Sequence, residues 1–193
     1  MRVSRVQAAE NRQNVIDVAS RLFREHGFDG IGLKDLMEAA GLTQGAFYKQ
    51  FASKEDLVVE ASARALESAA GRWSQAFDAN PKDPLGAILD FYLSKGHRKE
   101  KMEGCPFVAL GADAARQSAD VKAGFEAGIR DHMDMLSSML SESGRGKKHE
   151  KKAMSILSTM VGAVTLARIV NDHRLAQSIL DAAAESIREL ASS

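Results

Sequence analysis

Apolar residues recur along this chain at helical intervals, and the polar positions between them mark where each helix starts and stops. Val15, Ala19, Leu22, Phe23 and His26 fall three and four apart, which predicts a first helix over residues 8–26 with Gly27 as its left-handed stop. A short second helix follows over 33–40, where Leu33, Leu36, Met37 and Ala40 form one stripe and Gly41 ends it. Thr43 stands where its hydroxyl can accept from a free N–H and cap a third helix to about residue 50. Ser53 caps a fourth, with the Asp56 carboxylate three residues on suiting the positive helix end. That helix runs to about residue 77, before Asn80-Pro81-Lys82-Asp83-Pro84 breaks it.

Five more helices are expected, over 85–98, from the Gly104-Cys105-Pro106 corner to 116, and over 118–141, 150–172 and 174–190. Ser143-Gly144-Arg145-Gly146-Lys147-Lys148 reads as an exposed loop. Valines and isoleucines are dispersed among Ala-, Glu-, Lys- and Leu-rich segments, and no strand-like run emerges. The fold class is therefore all-α.

The stretch AGLTQGAFYKQF, residues 40–51, divides into two faces once Thr43 is placed at the cap. Leu42, Phe47 and Phe51 anchor it, the two phenylalanines being four residues apart on one side. Gln44, Gly45, Tyr48 and Lys49 fall on the other. A glycine inside a short helix costs about 1 kcal/mol against alanine, an expense that makes sense if a bulky partner approaches the backbone. A tyrosine hydroxyl beside a lysine ammonium suits phosphates or base edges. A tight corner in a helical bundle, with Tyr48 half-buried, is the competing reading.

Charge changes this picture little. The 193 residues carry 26 basic and 26 acidic side chains, so no bulk basicity announces a nucleic-acid partner. Residues 1–54 hold a small basic excess, with the sign expected of a segment that meets phosphates. Cys105 is the single cysteine, which excludes an intramolecular disulfide and points to a reducing compartment. No apolar leader and no long uncharged apolar run stand out, so a soluble cytoplasmic protein without membrane contact is expected. His26, His97, His132, His149 and His173 show no paired ligand spacing, and no nucleophile elbow, Walker loop or dinucleotide fingerprint is present. Neither a metal, a cofactor nor a catalytic role is expected.

Residues 12–57 resemble the DNA-binding domain of the TetR family of bacterial transcriptional regulators. The features that carry the likeness are Ala19, Leu22-Phe23, Gly27-Phe28, Asp35-Leu36, Ala40-Gly41-Leu42-Thr43, Gly45-Ala46-Phe47-Tyr48, Phe51 and Ser53-Lys54-Glu55-Asp56-Leu57, in order and without gaps. The resemblance implies a helix-turn-helix domain over 1–53 and a larger ligand-binding and dimerisation domain over 54–193. It also implies a dimer whose third helices enter successive major grooves. By position, Thr43, Gln44, Gly45, Tyr48 and Lys49 would lie at the DNA, with Lys34 and Lys54 on phosphates. Gly32 departs from the Thr or Ser common at its position. Lys49 and Gln50 replace a frequent histidine, so the operator sequence does not carry over.

Beyond residue 54, Trp73, Phe77, Phe91, Tyr92, Cys105, Phe107, Phe125, Ile129 and Met133 are candidates to line the small-molecule pocket that the family places here. Most aromatic and methionine side chains are core by default. Cys105 could sense thiol-reactive compounds, although a lone cysteine is commonly a small buried hydrophobe. Residues 150–172 are apolar around most of the helix. Leu157, Val161, Gly162 and Val164, with Ile179, Ala183 and Ile187 of the last helix, are expected to pair with their symmetry mates in a four-helix bundle. The expectation is a homodimeric, ligand-responsive repressor of operator DNA. Its competitor is a helical small-molecule-binding or enzymatic domain with a purely structural N-terminal bundle.

Overall fold

The computed structural model describes residues 4–140 and 147–193, and among them every regular element is a helix. In chain order these are α1 (Arg5–His26), α2 (Leu33–Ala39), α3 (Gln44–Phe47), α4 (Lys54–Ala79), α5 (Pro84–Tyr92), α6 (Lys95–Lys99), α7 (Pro106–Ala114), α8 (Ala119–Met139), α9 (Lys147–Ile169) and α10 (His173–Ser192). Most of the expected exposed loop, Ser143 to Gly146, lies outside the described residues. Its last two members, Lys147 and Lys148, already belong to α9.

Short polar side chains set the boundaries. Ser4 accepts from the Gln7 N–H and starts α1 three residues before the expected point. Before α4, Ser53 accepts from the Asp56 N–H at 3.0 Å, and Asp56 returns a carboxylate oxygen to the N–H groups of Ala52 and Ser53. This is a reciprocal capping box with aspartate in the usual glutamate position. The helix expected over 85–98 is two helices, because Ser94 takes an extended backbone and caps α6 through the His97 N–H.

The helices form two compact units. One comprises the residues up to Ser68 together with Lys101–Phe125, and the other Ala69–Glu100 with Glu126–Ser193. Packing thus divides α4 and α8 between the units, whereas the boundary expected from the sequence falls at residue 53.

The core of the first unit gathers Val15, Ala19 and Phe23 from α1, Leu36 and Met37 from α2, and Phe47 and Phe51 around α3. Leu57 and Ala61 of α4, Leu110 of α7 and Phe125 of α8 complete it. One charge is buried there. Arg24 donates to the carbonyls of Ser20 and Gly104 and reaches the Glu103 carboxylate at 3.4 Å, so its charge is compensated where water is excluded.

The second unit holds neutral polar groups instead. Trp73, Tyr92, His97 and His132 are all buried and meet as an aromatic cluster, with Trp73 4.6 Å from His132 and Tyr92 4.5 Å from His97. His97 Nδ1 donates to the Tyr92 carbonyl and His132 Nδ1 to the Gly128 carbonyl, each at 2.7 Å. Burial pushes the His97 imidazole down to about 4, aided by the nearby Arg168 and Arg72 charges, and burial lowers His132 as well. Arg168 of α9 donates to the carbonyls of His97, Arg98 and Glu100, while Arg98 of α6 donates to the Ala167 carbonyl. Each arginine therefore closes the carbonyl end of the other's helix.

Candidate nucleic-acid interface

Everything that orients α3 is set by backbone geometry at its two ends. Gly41 adopts φ +71°, and the bonds Gly41 N–H to Glu38 O and Leu42 N–H to Met37 O close α2 as a Schellman turn. The Asn14 side-chain amide of α1 holds the Ala40 carbonyl at 2.8 Å. The chain then re-enters helix at Thr43, whose backbone is extended as a cap demands. Contrary to expectation its side chain makes no capping bond, and the residue is exposed.

The α3 helix is shorter than its pattern predicts, because the chain tightens into turns after Phe47. Its faces divide sharply. Phe47 is fully buried and stacks on Phe51 with ring centroids 5.3 Å apart, while the adjacent Tyr48 is 68 % exposed and meets only the Phe47 edge at that distance. Gln44, Gly45 and Lys49 are exposed beside it, and Lys34 of α2 is exposed too. A Cβ added at Gly45 would meet nothing within 4 Å, so nothing in the chain itself calls for glycine there.

Lys54 is placed differently from its expected role. Its Nζ donates to the carbonyls of Phe28 at 2.7 Å and Ile31 at 2.9 Å. A cation in the first turn of a helix opposes the macrodipole, and these two carbonyls supply the compensation. Several positioning residues lie beyond any local pattern. Arg12 forms a two-pronged ion pair with Glu60, its guanidinium 4.7 Å from the Phe51 ring centroid. Asp113 of α7 accepts from the Phe28 N–H at 3.3 Å. These partners are separated by 48 and 85 residues, which sequence spacing does not connect.

The expected pocket residues do not come together within one unit. Trp73, Phe77, Phe91, Tyr92, Ile129 and Met133 belong to the second unit; Cys105, Phe107 and Phe125 belong to the first. Phe125 is part of the first unit's core, with Phe107 packed against it, because α7 and the start of α8 share that core with α1. Cys105 is buried at the start of α7, and Ile129 is exposed. The buried histidines of the aromatic cluster were missed. The available signal was a polar residue, His132, on the stripe shared by Val121, Phe125 and Leu136.

A correction applies to α9 and α10 as well. Leu157, Val164, Ala183 and Ile187, expected at a subunit interface, are already buried within the protomer. Val161, Gly162 and Ile179 are half-buried. The apolar side chains left exposed are Met154, Leu166 (52 %), Ile169 (72 %) and Leu175. Lys148–Ile169 is long and apolar enough to cross a membrane, with mean hydropathy 1.2, but its inner face packs against α10.

Comparison with known proteins agrees with this architecture. Residues 15–61 match the description "Bacterial regulatory proteins, tetR family", and residues 81–185 match "Transcriptional regulator LmrA/YxaF-like, C-terminal domain". The chain is 23 % identical over 162 residues to the HTH-type transcriptional regulator LmrA of Bacillus subtilis (strain 168), covering 82 % of this chain and 86 % of that one. It is 27 % identical over 139 residues to the HTH-type transcriptional repressor NemR of Escherichia coli (strain K12), covering 70 % and 69 %. The fold matches the crystal structure of a TetR-family transcriptional regulator from Cytophaga hutchinsonii with a TM-score of 0.83, at 20 % identity and covering 100 % and 97 % of the two chains. With a helix-turn-helix head on an all-helical frame and both halves of the chain matched, this protein belongs to the TetR family of bacterial regulatory proteins.

Proposed function

We propose that this DNA-binding transcriptional regulator is a homodimeric repressor that reads its operator with α3 and releases it when a small molecule binds the larger helical domain, residues 54–193. The observation that carries the DNA contact is the outward face of α3. Thr43, Gln44, Gly45, Tyr48 and Lys49 present hydroxyl, amide, bare backbone, phenol and ammonium side by side, over a base fixed by Phe47 and Phe51. Such a surface supplies donors for base edges and phosphates, and the open space over Gly45 lets a strand approach the backbone. Lys34 extends the phosphate-binding edge.

The dimer reading rests on the exposed apolar stripe. On one side of α9 Met154, Leu166 and Ile169 are exposed and Val161 and Gly162 half-buried, and α10 adds the exposed Leu175 and the half-buried Ile179. Pairing this stripe with its own copy removes it from water, and a twofold dimer meets half-sites one helical turn, about 34–36 Å, apart. The effector is expected against the aromatic side chains of the second unit, and binding there must favour the state that fits DNA less well.

Binding to duplexes enriched from a random library tests this reading. Affinity should fall about 10³–10⁵-fold between 50 and 200 mM salt if roughly 6–10 phosphates are contacted. Tyr48→Ala and Lys49→Ala should weaken binding at least about tenfold with unchanged dimer and melting temperature. Salt-insensitive binding, or a Tyr48→Ala protein that fails to fold, would overturn it.

A further inference from the structure

The two backbone polar groups of Phe28 are bracketed by opposite charges from distant helices. Its N–H donates to Asp113 Oδ2 of α7 at 3.3 Å, and its carbonyl accepts from Lys54 Nζ of α4 at 2.7 Å. Lys54 also holds the Ile31 carbonyl at 2.9 Å. Two of the three ammonium donors are therefore committed to the connection between α1 and α2.

This connection tolerates no slack. Gly27 lies in the left-handed region at φ +79°, and a Cβ there would stand 2.7 Å from Asp113 Oδ2. A Cβ on Gly30 would stand 1.8 Å from the His26 carbonyl. The Phe28 ring is fully buried and meets Phe23 edge-on at 5.4 Å. The surroundings of Lys54 also disfavour phosphate. It lines a cleft of about 390 Å³ in which the Asp29 and Glu55 carboxylates offset Lys54 and Arg116, Arg116 being paired with Asp113, whereas no residue of α3 lines it.

We infer that Lys54 and Asp113 are positioning residues of the DNA-reading head. They clamp the Phe28 backbone from both sides and thereby fix where α2 begins and how α3 is presented. Lys54 is thus not a phosphate ligand. The inference rests on the DNA-binding reading above and adds two residues that touch no DNA.

Salt dependence separates a clamp from a phosphate contact. With duplexes selected on the wild-type protein, Lys54→Met should bind about 5–10-fold more weakly at every salt concentration, with an unchanged slope of log K against log salt. Loss of a phosphate contact instead lowers that slope by about 0.9. Asp113→Ala sharpens the test through its sign. Removing a negative charge strengthens long-range attraction to DNA, so the clamp alone predicts weaker binding. Lys54→Gln, which keeps one donor for a carbonyl, should fall between wild type and Lys54→Met, and serves if the methionine variant is unstable. A reduced slope in Lys54→Met, equal loss in Gln and Met, or tighter binding by Asp113→Ala overturns the inference. A wild-type protein without salt-dependent DNA binding would instead refute the proposed function beneath it.

Discussion

The two compact units bury different polar side chains, although both also hold backbone carbonyls with cations, Arg98 and Arg168 doing so in the second. In the first, ionised side chains are spent on backbone atoms: Arg24 on Ser20 and Gly104, Lys54 on Phe28 and Ile31, Asp113 on the Phe28 N–H. In the second, the aromatic cluster buries two imidazoles, His97 and His132, each with Nδ1 donating to a carbonyl and each pushed toward its neutral form by burial. Burial that disfavours the charged imidazoles makes the second unit sensitive to acid. That contrast suits the proposed division between a DNA-reading head and a ligand-answering body.

Trp73 is the single tryptophan of the chain and lies in the second unit, so its emission reports that unit separately. The largest effect is expected from Gly30→Ala. A methyl carbon cannot share space with the His26 carbonyl, so the first unit should lose about 3 kcal/mol or more and DNA binding should vanish. Circular dichroism should register the loss while Trp73 emission at pH 7 stays native; a quenched or shifted Trp73 would break the comparison.

Acid should act on the other unit. The folded His97 pKa of about 4 lies below the ordinary 6.5, so the neutral form is favoured by folding. The stabilisation is complete above pH 6.5 and is lost as pH falls to about 4, because the unfolded chain takes up the proton first. The difference amounts to roughly 3 kcal/mol at most. Denaturant unfolding followed by Trp73 emission at pH 7 and pH 5 should show the loss, and His97→Asn should flatten it. The lowered His132 pKa acts in the same direction.

Smaller effects separate turn from surface. Gly41→Ala forces a side chain into φ +71° and should cost about 1–2 kcal/mol, seen as a lower denaturant midpoint. Gly45→Ala should instead stabilise the protein by up to about 1 kcal/mol, since its Cβ points into open space, yet weaken DNA binding. Tighter DNA binding by that variant would remove the reason offered for a glycine at this position.

Local pattern carried the first unit further than the second. Phe47 and Phe51 inside, Gln44, Tyr48 and Lys49 outside, and the Ser53–Asp56 box all follow from spacing and capping chemistry within a few residues. The clamp on Phe28 does not, because its partners meet only after the chain has folded back through α4 and α7. On α9, apolar residues surround the helix, and periodicity states that two sides are covered without stating by what. Leu157 and Val164 went to the protomer's interior, while Leu166 and Ile169 stayed outside. Ser94 divided a predicted helix because a hydroxyl competing for a backbone N–H outweighed the apolar stripe running through it.

The mutual capping of Arg98 and Arg168 also has a kinetic side. At five residues, α6 is too short to hold its own hydrogen bonds, and its terminal carbonyls are closed by a guanidinium borrowed from α9. Removing that guanidinium, as in Arg168→Met, should therefore speed amide exchange in α6. A five-residue segment thus serves as a gauge of how firmly the long helix beside it is seated.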